Sequence, residues 1–250
     1  MKVVILAAGY GTRLYPLTIN TPKPLLLVNN EPIINFLIRK IEVLKKYFSI
    51  EKIKIVSNNK FYQQFEEWKE KYKINAVILN DGSNTPEERR GAIRAIKFAI
   101  EDDDGGDWLV MGGDNLFEDD LVGFVDYSFK HKPYPCVGIY DVKKKELATR
   151  LGVVKLNYRK RIIELVEKPP QPATTLSATC IYFFPHQSLR FLDTFLACHT
   201  HTDASGKYIE WLIKKTKVYG YLLKGEWVDI GHKDSLQEAE KKFFLERGEK

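Results

Sequence analysis

The residues with the clearest chemical potential lie in a glycine turn near the N-terminus. Residues 6–18 read LAAGYGTRLYPLT, and a Pro-Lys-Pro segment follows soon after. An apolar strand that runs into Gly9 and Gly11 can turn sharply and bring backbone N–H groups close to an anion. Arg13 can hold a phosphoryl group through two hydrogen bonds, and Lys23 can add a mobile positive charge. The pattern therefore predicts a phosphate-binding loop.

Two well-known phosphate loops do not fit this turn. A dinucleotide-binding loop needs a third glycine three residues after the second, where this chain has Leu14. A Walker A loop needs Gly-Lys followed by Ser or Thr, which the turn lacks. The loop must therefore bind phosphate by another arrangement.

Five ordered segments make the chain resemble the sugar-1-phosphate nucleotidylyltransferases, specifically the glucose-1-phosphate thymidylyltransferase type. The signature of that family is Gly-x-Gly-Thr-Arg, with Pro-Lys at a short distance. Further family segments follow in the expected order: GDN at 113–115, RLGV at 150–153, EKP at 167–169 and WVDIG at 227–231. The resemblance covers nearly the whole chain.

This resemblance implies an enzyme of the EC 2.7.7 type. A sugar 1-phosphate, best glucose 1-phosphate, attacks the α-phosphorus of a nucleoside triphosphate, best dTTP or UTP, in line. The products are an NDP-sugar and pyrophosphate. Two polyanions must approach each other, so the protein has to neutralise charge and align the reactants. No general base is required, because the attacking phosphate is already ionised near neutral pH.

Magnesium is the cofactor that this chemistry predicts, held by one or two carboxylates and several waters. Asp114, expected at the carboxyl end of a strand, is the first candidate ligand. The resemblance implies that Asp229 shares the ion. On sequence alone, either aspartate could instead serve only in a turn.

The resemblance also implies roles for individual residues. Four are expected to be catalytic: Arg13, Lys23, Asp114 and Lys168. The nucleotide site is expected to comprise Leu6, Ala8, Gly9, Gly11, Thr12, Arg13, Lys23, Asn80, Asp81 and Gly91. The sugar phosphate is expected to meet Asn115, Gly152, Glu167, Lys168, Thr179 and Trp227.

The chain departs from the family pattern where the base and the sugar are recognised. A glutamine that usually reads the pyrimidine is missing from the longer segment 80–92, where Asn80 and Asp81 are the candidates to replace it. An aspartate acceptor would suit an amino group, so cytosine stays open. Leu151 replaces a common aromatic residue, and Cys180 replaces a glycine. The alternatives are therefore a cytidylyltransferase acting on another phosphorylated acceptor and a non-catalytic regulatory relative.

Apolar periodicity predicts an α/β fold with a doubly wound, Rossmann-like mixed central sheet and extra antiparallel strands in the second half. Strands are expected at 3–6, 53–56, 76–79, 108–111, 136–140, 152–156, 161–166, 179–184 and 218–223. Helices are expected from Pro32 through Leu44, from Pro86 to about Ile100, at 189–197 and 208–215, and from Ser235 onward. We expect a single domain over 1–250, with 1–133 mainly binding the nucleotide and 134–250 mainly binding the sugar.

Composition limits the remaining classes. The 250 residues are 44% hydrophobic and 29% charged, with a net charge of +6. Basic and acidic residues alternate, which favours a phosphorylated small molecule over nucleic acid. No apolar run reaches the roughly 18–20 residues of a membrane span, and the first residues fit a buried strand better than a signal peptide. With three separate cysteines, we expect a cytoplasmic protein that could form a homo-oligomer. Segments 101–107 and 198–203 are expected to be loops rather than metal sites.

Overall fold

The computed structural model describes residues 1–102, 105–199 and 203–243. Its strands are Lys2–Leu6 (β1), Leu27–Val28 (β2), Glu31–Pro32 (β3), Lys52–Ser57 (β4), Val77–Asn80 (β5), Trp108–Gly112 (β6), Asn115–Phe117 (β7), Cys136–Asp141 (β8), Gly152–Leu156 (β9), Ile162–Glu167 (β10), Leu176–Phe184 (β11), Tyr219–Leu222 (β12) and Trp227–Asp229 (β13). Its α-helices are Ile33–Lys45 (α1), Tyr62–Tyr72 (α2), Ala92–Ile100 (α3), Val122–Lys130 (α4), Lys145–Ala148 (α5), Arg190–Cys198 (α6), Ser205–Leu212 (α7) and Lys233–Lys242 (α8).

One mixed sheet runs through both halves of the chain, as expected. Its main path has the order β10-β9-β11-β6-β1-β4-β5, and β8 joins it beside β11 with β12 as its other neighbour. The strands β6, β1, β4 and β5 are parallel. Strand β11 runs antiparallel to β6 and β8, and β10 runs antiparallel to β9. The prediction of a parallel centre with antiparallel additions is therefore confirmed.

Alternation along β1 shows why its sequence is almost continuously apolar. Val3 and Ile5 face a core formed with α1, α2 and α4, whereas Val4 faces a second core formed with α3, α6 and α7. Successive side chains of a strand point to opposite faces, so a strand covered on both sides needs apolar residues throughout. This doubly covered sheet fixes the strand ends that carry the candidate site.

The second predicted helix begins later than expected. It starts at Ala92 rather than Pro86, because Gly91 has φ 80° and ψ 160°, outside the helical region. Within the loop before it, the backbone N–H of Asn84 donates to the Glu88 carboxylate at 2.8 Å. Such local side-chain bonds offer the backbone an alternative to helical pairing. The prediction of a helix from residue 86 was therefore wrong.

Helices α2, α4 and α5 were not predicted, and three other elements begin two or three residues earlier than expected. The indole of Trp68 on α2 donates a hydrogen bond to the Asn35 side chain on α1 at 2.8 Å. Apolar periodicity in the sequence does not reveal such a tertiary contact. Helix α7 begins at Ser205 instead of residue 208, α8 begins at Lys233 instead of Ser235, and β11 begins at Leu176 instead of residue 179.

A bulge in β11 reshapes the strand next to the site. Ala178 pairs with Ile139 on β8, and the next pair joins Tyr182 to Val137, so residues 179–181 lie opposite Gly138. A Cβ on Gly138 would lie 2.9 Å from the hydroxyl of Thr179. Such an irregularity bends a strand and redirects its side chains.

Some predictions fall outside the described residues. Positions 103 and 104 of the expected charged loop, and positions 200–202 of the expected loop at 198–203, belong to this group. Among the helices that the structure does describe, none has both the length and the apolar character needed to cross a membrane.

Candidate active site

The glycine turn after β1 adopts a conformation that places Arg13 on the surface. Gly11 lies in the left-handed region, with φ 61°. Its carbonyl accepts hydrogen bonds from the backbone N–H of Leu14 at 2.8 Å and from the hydroxyl of Thr18 at 2.7 Å. Leu14 is buried, whereas Arg13 beside it is exposed. The turn is therefore anchored by Leu14 and Thr18, and the guanidinium is presented outward.

The ends of β1 and β6 bring Asp114 close to this turn. The backbone N–H of Gly113 donates to the carbonyl of Leu6 at 2.9 Å, and a Cβ on Gly113 would lie only 2.9 Å from that oxygen. Asp114 follows directly, and its carboxylate forms an ion pair with the ammonium of Lys23. The carboxyl ends of parallel strands are the usual ligand-binding edge of such a sheet.

A short antiparallel pair, β7 with β13, places the second aspartate beside the first. Asp229 lies opposite Asn115, and the N–H of Ile230 donates to the carbonyl of Asp114 at 3.2 Å. A Cβ on Gly231 would lie 3.6 Å from both the Arg13 guanidinium and the Asp229 carboxylate. The fold thus gathers two acidic and two basic side chains that are distant in sequence.

This crowding raises the pKa of the Asp229 carboxyl. Its withdrawal from solvent, together with the negative charge of Asp114, raises its pKa to about 6. Lys23 and Arg13 act in the opposite direction. Two adjacent carboxylates that are withdrawn from solvent suit a hard divalent cation, because such a cation prefers oxygen ligands. The described residues contain no cluster of three or more His, Cys, Asp or Glu side chains that could hold a metal.

Asp229→Asn should make the metal-free protein more stable at neutral pH, by about 2 kcal/mol. The raised pKa means that folding favours protonated Asp229, so this contribution is present below the unfolded pKa near 3.8 and is lost as pH rises through about 6. The side-chain amide of the variant does not ionise, so its contribution to stability does not fall as the pH rises. Urea unfolding in EDTA measures the free energy of unfolding of both proteins at about pH 5 and about pH 8. The difference in favour of the variant should be larger at the higher pH. An equal gain at both pH values would contradict the assignment.

A cavity of about 100 Å³ opens beside the two aspartates and extends towards α7. Five of the six predicted sugar-phosphate residues line it, and the sixth, Lys168, directly follows one of them. The lining residues are Asn115, Leu151, Gly152, Glu167, Ala178, Thr179, Cys180, Tyr182, Ser205, Gly206, Trp227 and Asp229. The structure therefore brings the predicted sugar residues to one place.

Several of these side chains are bonded to the protein itself. The indole of Trp227 donates to the Asn115 side-chain oxygen at 2.8 Å, and the amide of Asn115 donates to the carbonyl of Gly112 at 3.3 Å. The hydroxyl of Thr179 donates to the carbonyl of Gly138 at 2.9 Å. These bonds fix the cavity wall.

Glu167 ends β10 and lines the cavity, and Lys168 is the residue that follows it. Lys168 has φ 48°, and its N–H donates to the carbonyl of Leu151 at 2.9 Å. Burial raises the pKa of the Glu167 carboxyl, while Lys168 and Lys207 act to lower it. A left-handed residue directly after a strand turns the chain at this point.

Both residues that were predicted to read the base already have protein partners. The Asn80 amide donates to the Asn59 side-chain oxygen at 2.7 Å, and the Asn80 oxygen accepts from the Gly82 N–H at 2.9 Å. Buried Asp81 accepts from the backbone N–H and the hydroxyl of Ser83 at 2.8 and 2.7 Å. The carboxylate considered for cytosine recognition is thus already engaged within the protein.

The other predicted nucleotide residues lie in or beside the glycine turn, or directly before α3. The Asn58 amide donates to the carbonyl of Ala8 at 3.0 Å. Gly91 immediately precedes α3, and Gly9, Gly11 and Thr12 belong to the glycine turn.

Sequence reasoning missed the contribution of α7. Ser205 and Gly206, in its first turn, line the cavity, and the hydroxyl of Tyr182 donates to the Ser205 hydroxyl at 2.7 Å. The glycine was the available signal, but the predicted helix began at residue 208 and left Gly206 outside it.

Comparisons with known proteins agree with this architecture. A family model described as nucleotidyl transferase matches residues 2–245. The bifunctional protein GlmU of Methanocaldococcus jannaschii is 32% identical over 241 residues, which cover 96% of this chain and 54% of GlmU. The chain thus spans about half the length of the GlmU relatives it matches.

Two further relatives match over almost their full length. The UTP--glucose-1-phosphate uridylyltransferase AglF of Haloferax volcanii is 28% identical, covering 97% of this chain and 96% of AglF. A Bacillus anthracis crystal structure, described as a candidate glucose-1-phosphate thymidylyltransferase in complex with a sucrose, has a TM-score of 0.82 at 25% identity. The match covers 96% of this chain and 94% of the Bacillus anthracis chain.

Proposed function

Because this chain belongs to the nucleotidyl transferase family, we propose that it joins a nucleoside triphosphate to a sugar 1-phosphate and releases pyrophosphate. The product is a nucleoside diphosphate sugar. We favour dTTP or UTP as the nucleotide and glucose 1-phosphate as the sugar, a choice supported by the names of the uridylyltransferase relative and the thymidylyltransferase-like structure.

One observation carries the proposal: Asp114 and Asp229 lie together between the glycine turn and the cavity. Lys23 pairs with Asp114, and Arg13 lies beside Asp229. The cavity on the other side holds Glu167. A triphosphate on the turn and a sugar phosphate in the cavity would therefore meet at the two carboxylates.

In the proposed reaction, an oxygen of the sugar phosphate attacks the α-phosphorus in line, and the bond to the leaving pyrophosphate breaks. Arg13 stabilises the charge on the α- and β-phosphates, and Lys23 positions the triphosphate. Lys168 binds the phosphate of the sugar, while Glu167 accepts hydrogen bonds from sugar hydroxyls. Catalysis of this kind depends mainly on alignment and charge neutralisation.

Asp114 and Asp229 are the residues that would hold Mg²⁺. When bound, the ion would neutralise part of the phosphate charge. The donor set fits, because both side chains supply the carboxylate oxygens that this hard cation prefers. Within this arrangement, Lys23 has to be able to exchange part of its contact with Asp114 for contact with the triphosphate.

A pyrophosphate-release matrix tests the proposal. The protein with Mg²⁺ is incubated with dTTP, UTP, CTP, ATP or GTP against a panel of hexose 1-phosphates, and each substrate is omitted in turn as a control. We expect release that requires both substrates and is fastest with dTTP or UTP. Release that is fastest with CTP would support the cytidylyltransferase alternative. The absence of release from every pair would contradict the proposed reaction.

A further inference from the structure

The first turn of α7 contains a glycine with no space for a side chain. Gly206 is buried, and a Cβ built on it would lie 1.6 Å from Oε1 of Glu167 and 2.6 Å from its carboxyl carbon. Separations below about 3 Å are not found for real Cβ atoms. The Glu167 carboxyl therefore rests directly against the backbone of α7.

A second glycine lies close to the same carboxyl. A Cβ on Gly152, the first residue of β9, would lie 3.1 Å from Oε1 of Glu167. Glu167 itself ends β10, which pairs with β9 at this point. The carboxyl is thus confined by two glycine backbones, one from the sheet and one from α7.

Confinement matters because a glutamate side chain loses substantial rotational freedom when it is fixed. That loss of freedom opposes binding when the substrate has to fix a long polar side chain. If the protein fixes the carboxyl before the substrate arrives, binding does not bear this cost. Both Glu167 and Gly206 line the cavity beside the two aspartates, so the fixed carboxyl is at the place where a sugar would bind.

We propose that Gly206 is a positioning residue for sugar recognition: its missing side chain admits the Glu167 carboxyl to the slot from which Glu167 binds the sugar. The inference rests on the proposed function and extends it to a residue on α7. It also explains why position 206 is a glycine, since a larger residue there would fill the slot.

The test is Gly206→Ala, measured with the full chain and its best substrate pair. We expect the KM for the sugar 1-phosphate to rise about tenfold or more, because an ångström-scale displacement of a binding group is costly. The KM for the nucleotide should change by less than about twofold, as for a substitution remote from that site. Alanine is a better helix former than glycine, so α7 should be retained, and thermal melting would check the fold.

Gly123→Ala is the matched control. Gly123 is the second residue of α4, as Gly206 is of α7, and its Cβ would lie 2.4 Å from the hydroxyl of Tyr221. Neither Gly123 nor Tyr221 lines the cavity. We expect this control to leave both KM values near those of the unmodified protein. A rise in the sugar KM equal to that of Gly206→Ala would overturn the inference.

A double variant separates positioning from general damage. Glu167→Asp shortens the side chain by one methylene and relieves the conflict with a methyl group at position 206. Gly206→Ala should therefore add less than about twofold to the sugar KM when Glu167→Asp is already present, which is the non-additivity expected of residues in contact. Fully additive effects, or an unchanged sugar KM in Gly206→Ala alone, would contradict the proposal.

A crystal structure of Gly206→Ala distinguishes this inference from the proposed function. If the unmodified protein released no pyrophosphate from any pair, the proposed function would fail. The position of Glu167 in the variant would still decide whether Gly206 holds the slot open. A carboxyl displaced from α7 supports the inference, and an undisplaced carboxyl overturns it.

Discussion

Asp114→Asn should lower the rate of pyrophosphate release by about 10³-fold or more, equivalent to about 4 kcal/mol of transition-state stabilisation. The amide is nearly isosteric but carries no charge, so it would hold a divalent ion weakly. The change also leaves Lys23 without its anionic partner at the point where the triphosphate would bind. The loss should appear in kcat at saturating substrates and only partly recover with added Mg²⁺.

Asp126→Asn is the control for this prediction. Asp126 is an exposed residue of α4 that pairs with Lys130 four residues later. Such surface pairs contribute little, so activity and melting temperature should hardly change. The near-ultraviolet and far-ultraviolet circular dichroism of Asp114→Asn should match that of the unmodified protein. Turnover of Asp114→Asn within about tenfold of that protein would argue against a metal-binding role.

Arg13→Ala should reduce kcat by about 10²–10³-fold, the range observed when a charge-stabilising donor is removed from an active site. Arg13 is exposed on the glycine turn and lies near Asp229, so it can reach phosphate oxygens held at the two carboxylates. Arg13→Lys keeps the charge but loses the planar pair of donors. It should therefore recover only part of the lost rate, which steady-state kinetics with the preferred nucleotide would measure.

Arg159→Ala provides the matched control for Arg13. Arg159 is also exposed, and its guanidinium lies over the ring of the neighbouring Tyr158. Its removal deletes the same charge without changing the glycine turn. If both alanine variants lowered kcat equally, the effect of Arg13 would reflect net charge rather than local stabilisation of the phosphates.

Much of the sheet was predictable because its strands have local signatures. β1, β4, β5 and β6 are short and rich in apolar residues, and each lies within a residue or two of its predicted bounds. The loop before α3 was less predictable. Pro86 and the acidic residues after it resemble a helix start, yet the conformation of Gly91 and the bond from Asn84 to Glu88 keep this segment out of the helix.

The roles of single side chains depended on partners that are distant in sequence. Asp81 appeared available to read a base, but Ser83 occupies one of its oxygens. Asn80 is similarly bonded to Asn59. Residue type and spacing indicate what a side chain is able to bind, whereas the folded structure determines whether a protein group already binds it.

The α/β class and a tight glycine turn after the first strand could be predicted from the sequence alone, because steric limits on neighbouring residues and the period of apolar side chains are local properties. Which distant groups meet depended on the folded structure. Pairing of β7 with β13 sets Asp229 beside Asp114, and docking of α7 places Gly206 against Glu167. Those contacts arise from long-range packing and hydrogen bonding, which no short stretch of sequence specifies.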